Sequence, residues 1–201
     1  MIYADFHIHT VYSSDSVIQP KTLVDLLAAH SFIKVAAVTD HDSVRGCRAT
    51  VELSSAYPDV LIIPGVEIST AQGDIVILGT EELPPKPWTV EAVVDFARSI
   101  DGVSILAHPY RSYGMGDSAR NCRVDAVEVL NGGSSQASNA QAKVLAKSMG
   151  LPGTAGSDAH SVAELFSVFN EVEASLDVDS VLKAIKQGKV SASVSRGSIH
   201  F

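Results

Sequence analysis

The stretch "DFHIHT", residues 5–10, places His7 and His9 two positions apart behind an apolar start. Side chains at i and i+2 of a strand point the same way, so both rings converge on one point. One buried imidazole is satisfied by a single hydrogen bond. Two facing the same way compete for the same partners unless something electron-poor lies between them, and a metal ion meets that need. "GSDAH" repeats the spacing with Asp158 and His160. In "VTDHD", Asp40 and His41 are adjacent and face opposite ways on a regular strand, so His41 is the expected ligand and Asp40 the carboxylate that fixes its tautomer. Asp42 is expected to cap the next helix. Glu67 sits late in the apolar run "VLIIPGVEI", where an unpaired carboxylate would be costly to bury, and a carboxylate can also bridge two ions. His108 in "AHPY" and Asn131 at the end of "VEVLN" complete the candidate set. Imidazoles and carboxylates almost without thiolate suit zinc, manganese or iron.

The elements that must carry these residues are legible from hydrophobic period. Short Val- and Ile-rich runs alternate with segments of helical period, the pattern of βα units around a mainly parallel sheet. Seven strands are expected, from "MIYADFH", "IKVAAVTD", "DVLIIPGVEIS", "DIVILGT", "GVSILAH", "DAVEVLN" and "LPGTAGSD". Pro20 marks one helix start and Thr89 caps another, while Gly150 and Gly188 close two more. "ELPPKPW" reads as a loop within one domain spanning residues 1–201, because the same patterning continues on both sides. The candidate ligands fall at the C-terminal ends of successive strands, the end that carries chemistry in α/β folds.

Fifteen Lys and Arg against 23 Asp and Glu give a formal net charge of -8, which argues against nucleic acid or an anionic membrane surface as the main partner. Cys47 and Cys122 match no zinc pattern and no disulfide framework, so both are expected as free thiols. Without an apolar run approaching the ~18 residues of a membrane span, or a secretory leader, the expectation is a soluble cytoplasmic protein. His30 is accounted for by a helix C-terminus and His200 lies near the chain end, leaving five clustered histidines.

In this order, "DFHIHT", "VTDHD", "GVEIS", "AHP" and "GSDAH" resemble the motifs of the PHP (polymerase and histidinol phosphatase) superfamily, and the tail "SVLKAIKQGKVSA" resembles that family's C-terminal segment. The resemblance implies a distorted (β/α)7 barrel with two or three divalent ions at its C-terminal mouth. Carried over residue by residue, it gives one ion to His7, His9, Glu67 and Asp158. Glu67 bridges to a second ion that also meets His108, and His41, His160 and Asp15 hold a third. The family can have a histidine where this chain has Asn131, whose amide oxygen is a weaker ligand.

The family hydrolyses phosphate esters, and clustered divalent ions can turn water into a metal-bound hydroxide near neutral pH and neutralise charge on the reacting oxygens. Asp158 or His160 is then the expected general acid or base. Arg111 and Arg45, with Arg196 as a third choice, are candidates for a phosphate clamp. The loop "YRSYGMGDSARN" is expected to wall the mouth. The expected activity is hydrolysis of a small metabolite or nucleotide phosphate ester. Alternatives are a histidinol-phosphate phosphatase, action on a nucleic-acid end, amide hydrolysis, and a non-catalytic metal-stabilised scaffold or binding module.

Overall fold

Each of the seven Val- and Ile-rich runs forms a strand in the computed structural model, which describes residues 1–195: β1 (Ile2–Ile8), β2 (Val35–Val38), β3 (Leu61–Thr70), β4 (Gly73–Leu78), β5 (Val103–Leu106), β6 (Ala126–Asn131) and β7 (Gly153–Gly156). Two further strands, β8 (Val168–Val172) and β9 (Val190–Val194), were not anticipated. They extend the sheet to the order β7-β6-β5-β4-β3-β2-β1-β8-β9. β9 reads "VSASV", too small and polar to announce a strand, and it forms because β8 pairs with it along its whole length.

The expectation of a mainly parallel sheet holds at β1–β2, β2–β3, β5–β6 and β6–β7. β4 runs antiparallel to both neighbours because the turn after Thr70 is too short for a crossover, and β8 is antiparallel to both β1 and β9. Among the described residues five α-helices pack around the sheet: α1 (Pro20–Ala29), α2 (Arg45–Ser54), α3 (Val90–Ser99), α4 (Gln136–Met149) and α5 (Val178–Lys186). The result is a distorted, nearly closed α/β barrel with fewer helices than a regular seven-unit barrel carries.

The helices follow local signals. Pro20 occupies the first turn of α1, Thr89 Oγ1 accepts from Ala92 N at the start of α3, and Gly150 ends α4 with a φ of 68° that glycine adopts without strain. α3 buries Val90, Val93, Val94 and Ala97, the i, i+3, i+4, i+7 stripe, and each fully buried valine contributes about 1.5–3 kcal/mol by leaving water. Asp42 does not cap α2, whose N-cap is Val44. The backbone there still belongs to the sheet, since Asp42 N donates to Glu67 O at 2.8 Å, so Asp42 takes a φ of 52° and its Oδ1 accepts from Ser69 N at 2.9 Å.

β1 and β7 meet at the seam of the barrel, where side chains span the gap at Ala4 and Ala155 and two backbone bonds, Asp158 N to His7 O at 2.8 Å and His9 N to Ala159 O at 3.0 Å, close it at the mouth. Asn170 of β8 is fully buried; its Oδ1 accepts from Ala155 N at 2.7 Å and its Nδ2 donates to Ala4 O at 3.0 Å and Ala155 O at 2.7 Å. Asp5 Oδ1 accepts from Ser157 N at 2.9 Å, and burial pushes the Asp5 carboxyl up to about 6. Gly156 makes this approach possible, because a methyl there would collide with His7 Cβ and Glu128 Oε1. The strand ends meeting at this seam are those that lead into His7, His9 and Asp158. Among the described residues no helix is long and apolar enough to cross a membrane.

Candidate metal centre

Strands β1, β3 and β6 and the segments leaving β2, β5 and β7 bring His7, His9, Glu67, Asn131, His41, His108, Asp158 and His160 to one end of the barrel. Two of them, His108 and Asp158, have positive φ values of 25° and 54°, conformations uncommon outside glycine. Such turns take the chain sharply out of the sheet, and the packing around them holds the cost.

Glu67 is at the centre and fully buried. Its Oε2 lies 3.2 Å from His7 Nε2, 3.3 Å from His9 Nε2 and 3.0 Å from His41 Nδ1, yet makes no hydrogen bond. Its Oε1 is 3.0 Å from His108 Nε2. Burial alone would raise the Glu67 carboxyl, but the surrounding imidazoles, His7 foremost, hold it well below the usual carboxylate range.

The tautomers follow from the partners of each ring. His7 Nδ1 is 3.0 Å from Glu128 Oε1, an acceptor, so that nitrogen carries the proton. His9 Nδ1 is 3.1 Å from Ser13 Oγ, whose own proton goes to Asp40 Oδ1 at 3.1 Å, so His9 Nδ1 donates as well. The neutral rings then face each other with two bare Nε2 lone pairs 3.1 Å apart, beside an unbonded carboxylate oxygen. That arrangement is repulsive until a proton or a cation enters it, and the donor types are those of a divalent ion. The residues present therefore fit such an ion. His9, His41 and His160 offer a second group of donor atoms, and His7, His108 and Asp158 a third, in each case within 4.8 Å of one another. Asp15 reaches the rim, 3.3 Å from His160 Nε2 and 3.6 Å from His41 Nε2.

Asp40 does not support the His41 ring. It accepts from Thr10 N at 2.6 Å, Thr10 Oγ1 at 2.7 Å and Ser13 Oγ, and through Ser13 it orients His9 instead. Gly46, in the first turn of α2, allows this, since a Cβ there would strike Asp40 Oδ2 and Thr10 Oγ1. Asn131 enters the centre with its amide nitrogen: Nδ2 donates to Glu128 Oε2 at 3.0 Å and Asp158 Oδ2 at 3.2 Å, and Oδ1 accepts from Ser134 Oγ at 2.9 Å. The reverse orientation would set its oxygen against two carboxylates, so the expected amide-oxygen ligand is turned away.

Of the arginines, Arg111 stands at the rim and donates to Asp158 Oδ2. Arg45 lies away from the centre, its guanidinium 5.0 Å from the Tyr12 ring centroid, because α2 starts beyond the His41 turn and points its first residue at that ring. Arg196 lies outside the described residues. The loop after His108 walls the mouth with Ser112 and Tyr113, and it is tied down by Gly116 N donating to Pro109 O at 2.7 Å and by Tyr110 Oη donating to Asp117 at 2.9 Å. The cleft above the centre measures about 250 Å3.

Two acidic residues escaped the sequence reading. Glu128 is buried and holds three groups at once, His7 Nδ1, His108 N at 2.8 Å and Asn131 Nδ2; its signal was a charge inside the apolar run "DAVEVLN". Asp74 of β4 lines the cleft beside Glu67 and His108. Burial, with Glu67 adding to it, raises the Asp74 carboxyl.

Fold and centre together define the class: an α/β barrel whose mouth gathers imidazole and carboxylate donors suited to divalent cations. Residues 136–190 match the PHP-associated family. An uncharacterised protein of Methanocaldococcus jannaschii is 34% identical over 140 residues, covering 64% of this chain and 81% of its own length. The chain belongs to the PHP superfamily. An amidohydrolase from Chromobacterium violaceum, with bound sulfate and no metal, superposes with a TM-score of 0.68 at 16% identity over 94% of this chain and 97% of its own. A protein described as a metal-dependent phosphoesterase, from Bifidobacterium adolescentis, gives 0.64 at 17% identity over 94% and 96%. Endonuclease Q, in complex with a 27-mer duplex bearing an abasic lesion at the active site, gives 0.65 at 16% identity, over 96% of this chain and 58% of its own. At these identities the likeness is one of fold.

Proposed function

We propose that the chain is a metal-dependent phosphoesterase that hydrolyses the phosphate ester of a small metabolite or nucleotide. The observation that carries this reading is the convergence of the unbonded Glu67 Oε2 with the bare Nε2 atoms of His7 and His9, with a guanidinium at the rim of the same centre. Divalent ions held by His7, His9, His41, Glu67, His108 and Asp158 would supply water activation near neutral pH and charge neutralisation at the phosphoryl oxygens. Arg111 is half exposed and lines the cleft, where a planar fork suits a phosphoryl group. Asp158 has Oδ2 held by Arg111 and Asn131, which turns Oδ1 toward His7 and His9 at 3.5 and 3.1 Å. His160 Nδ1 lies 2.8 Å from the Asp158 carbonyl oxygen, which can only accept, so His160 keeps its proton on Nδ1 and a lone pair on Nε2 beside the cleft. From there His160 Nε2 can take a proton from water and return it to a leaving oxygen.

The net charge of -8 favours a small substrate over nucleic acid. The test is elemental analysis of protein purified without chelator, together with hydrolysis of an aryl phosphate before and after the metal is stripped and zinc or manganese restored. An abasic duplex and an aryl amide serve as parallel substrates. Bound ions with restorable release of phosphate support the proposal. Absence of both, or turnover of the duplex or amide alone, overturns it.

A further inference from the structure

Position 131 is where the family resemblance places a ligand of the second ion, and this chain turns its amide nitrogen, not its oxygen, to the carboxylates there. Asn131 Nδ2 serves Glu128 and Asp158, and its oxygen is occupied by Ser134 Oγ at 2.9 Å. The other side of the same centre carries a carboxylate with no role in the mechanism above. Asp74 is the second residue of β4, paired opposite Ser69 of β3, and its carbonyl accepts from Ala107 N at 3.2 Å, which ties it to the residue before His108. One donor atom each from Glu67, Asp74 and His108 lie within 4.8 Å of one another. Two of the three are buried and each leaves a polar atom without a hydrogen-bond partner, Glu67 Oε2 and His108 Nδ1. Oε2 belongs to the His7 and His9 side of the centre, while Oε1 meets His108 Nε2 at 3.0 Å; the orphaned Nδ1 leaves the His108 ring without the partner that a buried polar atom ordinarily has.

We propose that Asp74 completes a second divalent-cation site with Glu67 and His108, in place of residue 131, and that Asn131 positions Glu128 and Asp158 without ligating. A carboxylate is a stronger donor to a hard or borderline dication than a neutral amide, and it offsets the charge of the ion directly. The site therefore selects for a doubly charged ion between two carboxylates and one imidazole, a set suited to manganese or zinc. This inference rests on the reading of the centre as a metal site.

The experiment counts Mn2+ bound per chain, by elemental analysis and by titration calorimetry, in the wild type, Asp74→Asn and Asn131→Ala, with circular dichroism to verify folding. Electron paramagnetic resonance of the bound Mn2+ reports whether two ions are coupled. Asp74→Asn is expected to lose one ion per chain, or to weaken it at least tenfold, and to lose the coupled signal while the remaining ion stays. Asn131→Ala is expected to retain the wild-type count. Asp74→Ala substitutes if the amide variant does not fold. An unchanged count and affinity in the Asp74 variants overturns the inference, as does loss of the same ion in Asn131→Ala. A wild type that takes up no Mn2+ overturns this inference and the phosphoesterase reading together, whereas metal uptake with an indifferent Asp74 overturns this inference alone.

Discussion

Glu128 sits behind the centre and its replacement by glutamine gives a sharp test of how His7 is prepared to take an ion. Its two oxygens face three donors: His7 Nδ1 at 3.0 Å on Oε1, and His108 N at 2.8 Å with Asn131 Nδ2 at 3.0 Å on Oε2. A glutamine has one accepting oxygen, so either orientation of Glu128→Gln sets N–H against N–H. Turned toward His7, the amide forces the ring to move its proton to Nε2 and lose the lone pair that faces the centre. Turned the other way, it leaves His108 N and Asn131 opposed. Loss of such an outer partner costs about 10–100-fold in metal affinity, or about 1.4–2.7 kcal/mol. The shape of the side chain is kept, so the change in folding stability should stay within about 1–3 kcal/mol. Competition of Zn2+ between the protein and a chromophoric chelator at fixed pH measures the affinity, and denaturant unfolding of the stripped protein measures the stability. An unchanged affinity in a folded Glu128→Gln protein would refute the claim that this carboxylate fixes the His7 tautomer.

At the barrel seam, Asn170→Ala leaves Ala155 N, Ala155 O and Ala4 O without their side-chain partner in a fully buried site. At about 1–3 kcal/mol for each orphaned group, partly relieved by relaxation, a loss of about 3–5 kcal/mol is expected in urea unfolding; a loss below about 1 kcal/mol contradicts a role for Asn170 in holding the seam. For His7 and His108, burial alone would lower the imidazole pKa, but Glu67 outweighs it and both are raised. Raised values mean that these rings keep their protons to higher pH in the metal-free protein than a free imidazole does, while ligation needs them bare, so metal binding releases protons and tightens as pH rises. Calorimetry of Zn2+ binding in buffers of different ionisation enthalpy should show that release at neutral pH and its decline at higher pH; identical heats in all buffers would be the contrary result.

His7 and His9 were legible as candidates because the period of a strand is two, and Thr89, Pro20 and Gly150 because capping acts within one turn. β8 and β9 were not, since small and polar residues acquire strand geometry only from the neighbour that pairs with them. Glu128 stood out from its apolar run only as a charge, and nothing local tied it to His7, 121 positions away. Asp74, in a hairpin rich in polar residues, resembled any turn acid.

The sequence by itself determined the strand and helix segments around the site, the chemical type of the donors and their placement at strand ends, all consequences of short-range periodicity. Tertiary structure alone decided which donors share a point: that Asp40 serves His9 through Ser13, that Asn131 offers its nitrogen, that Arg111 faces the mouth while Arg45 stacks on Tyr12, and that Asp74 stands beside Glu67. The physical reason is that hydrogen-bond and ligand geometry acts over about 3 Å. Chain closure across β1 and β7 sets those distances between residues that no local pattern connects.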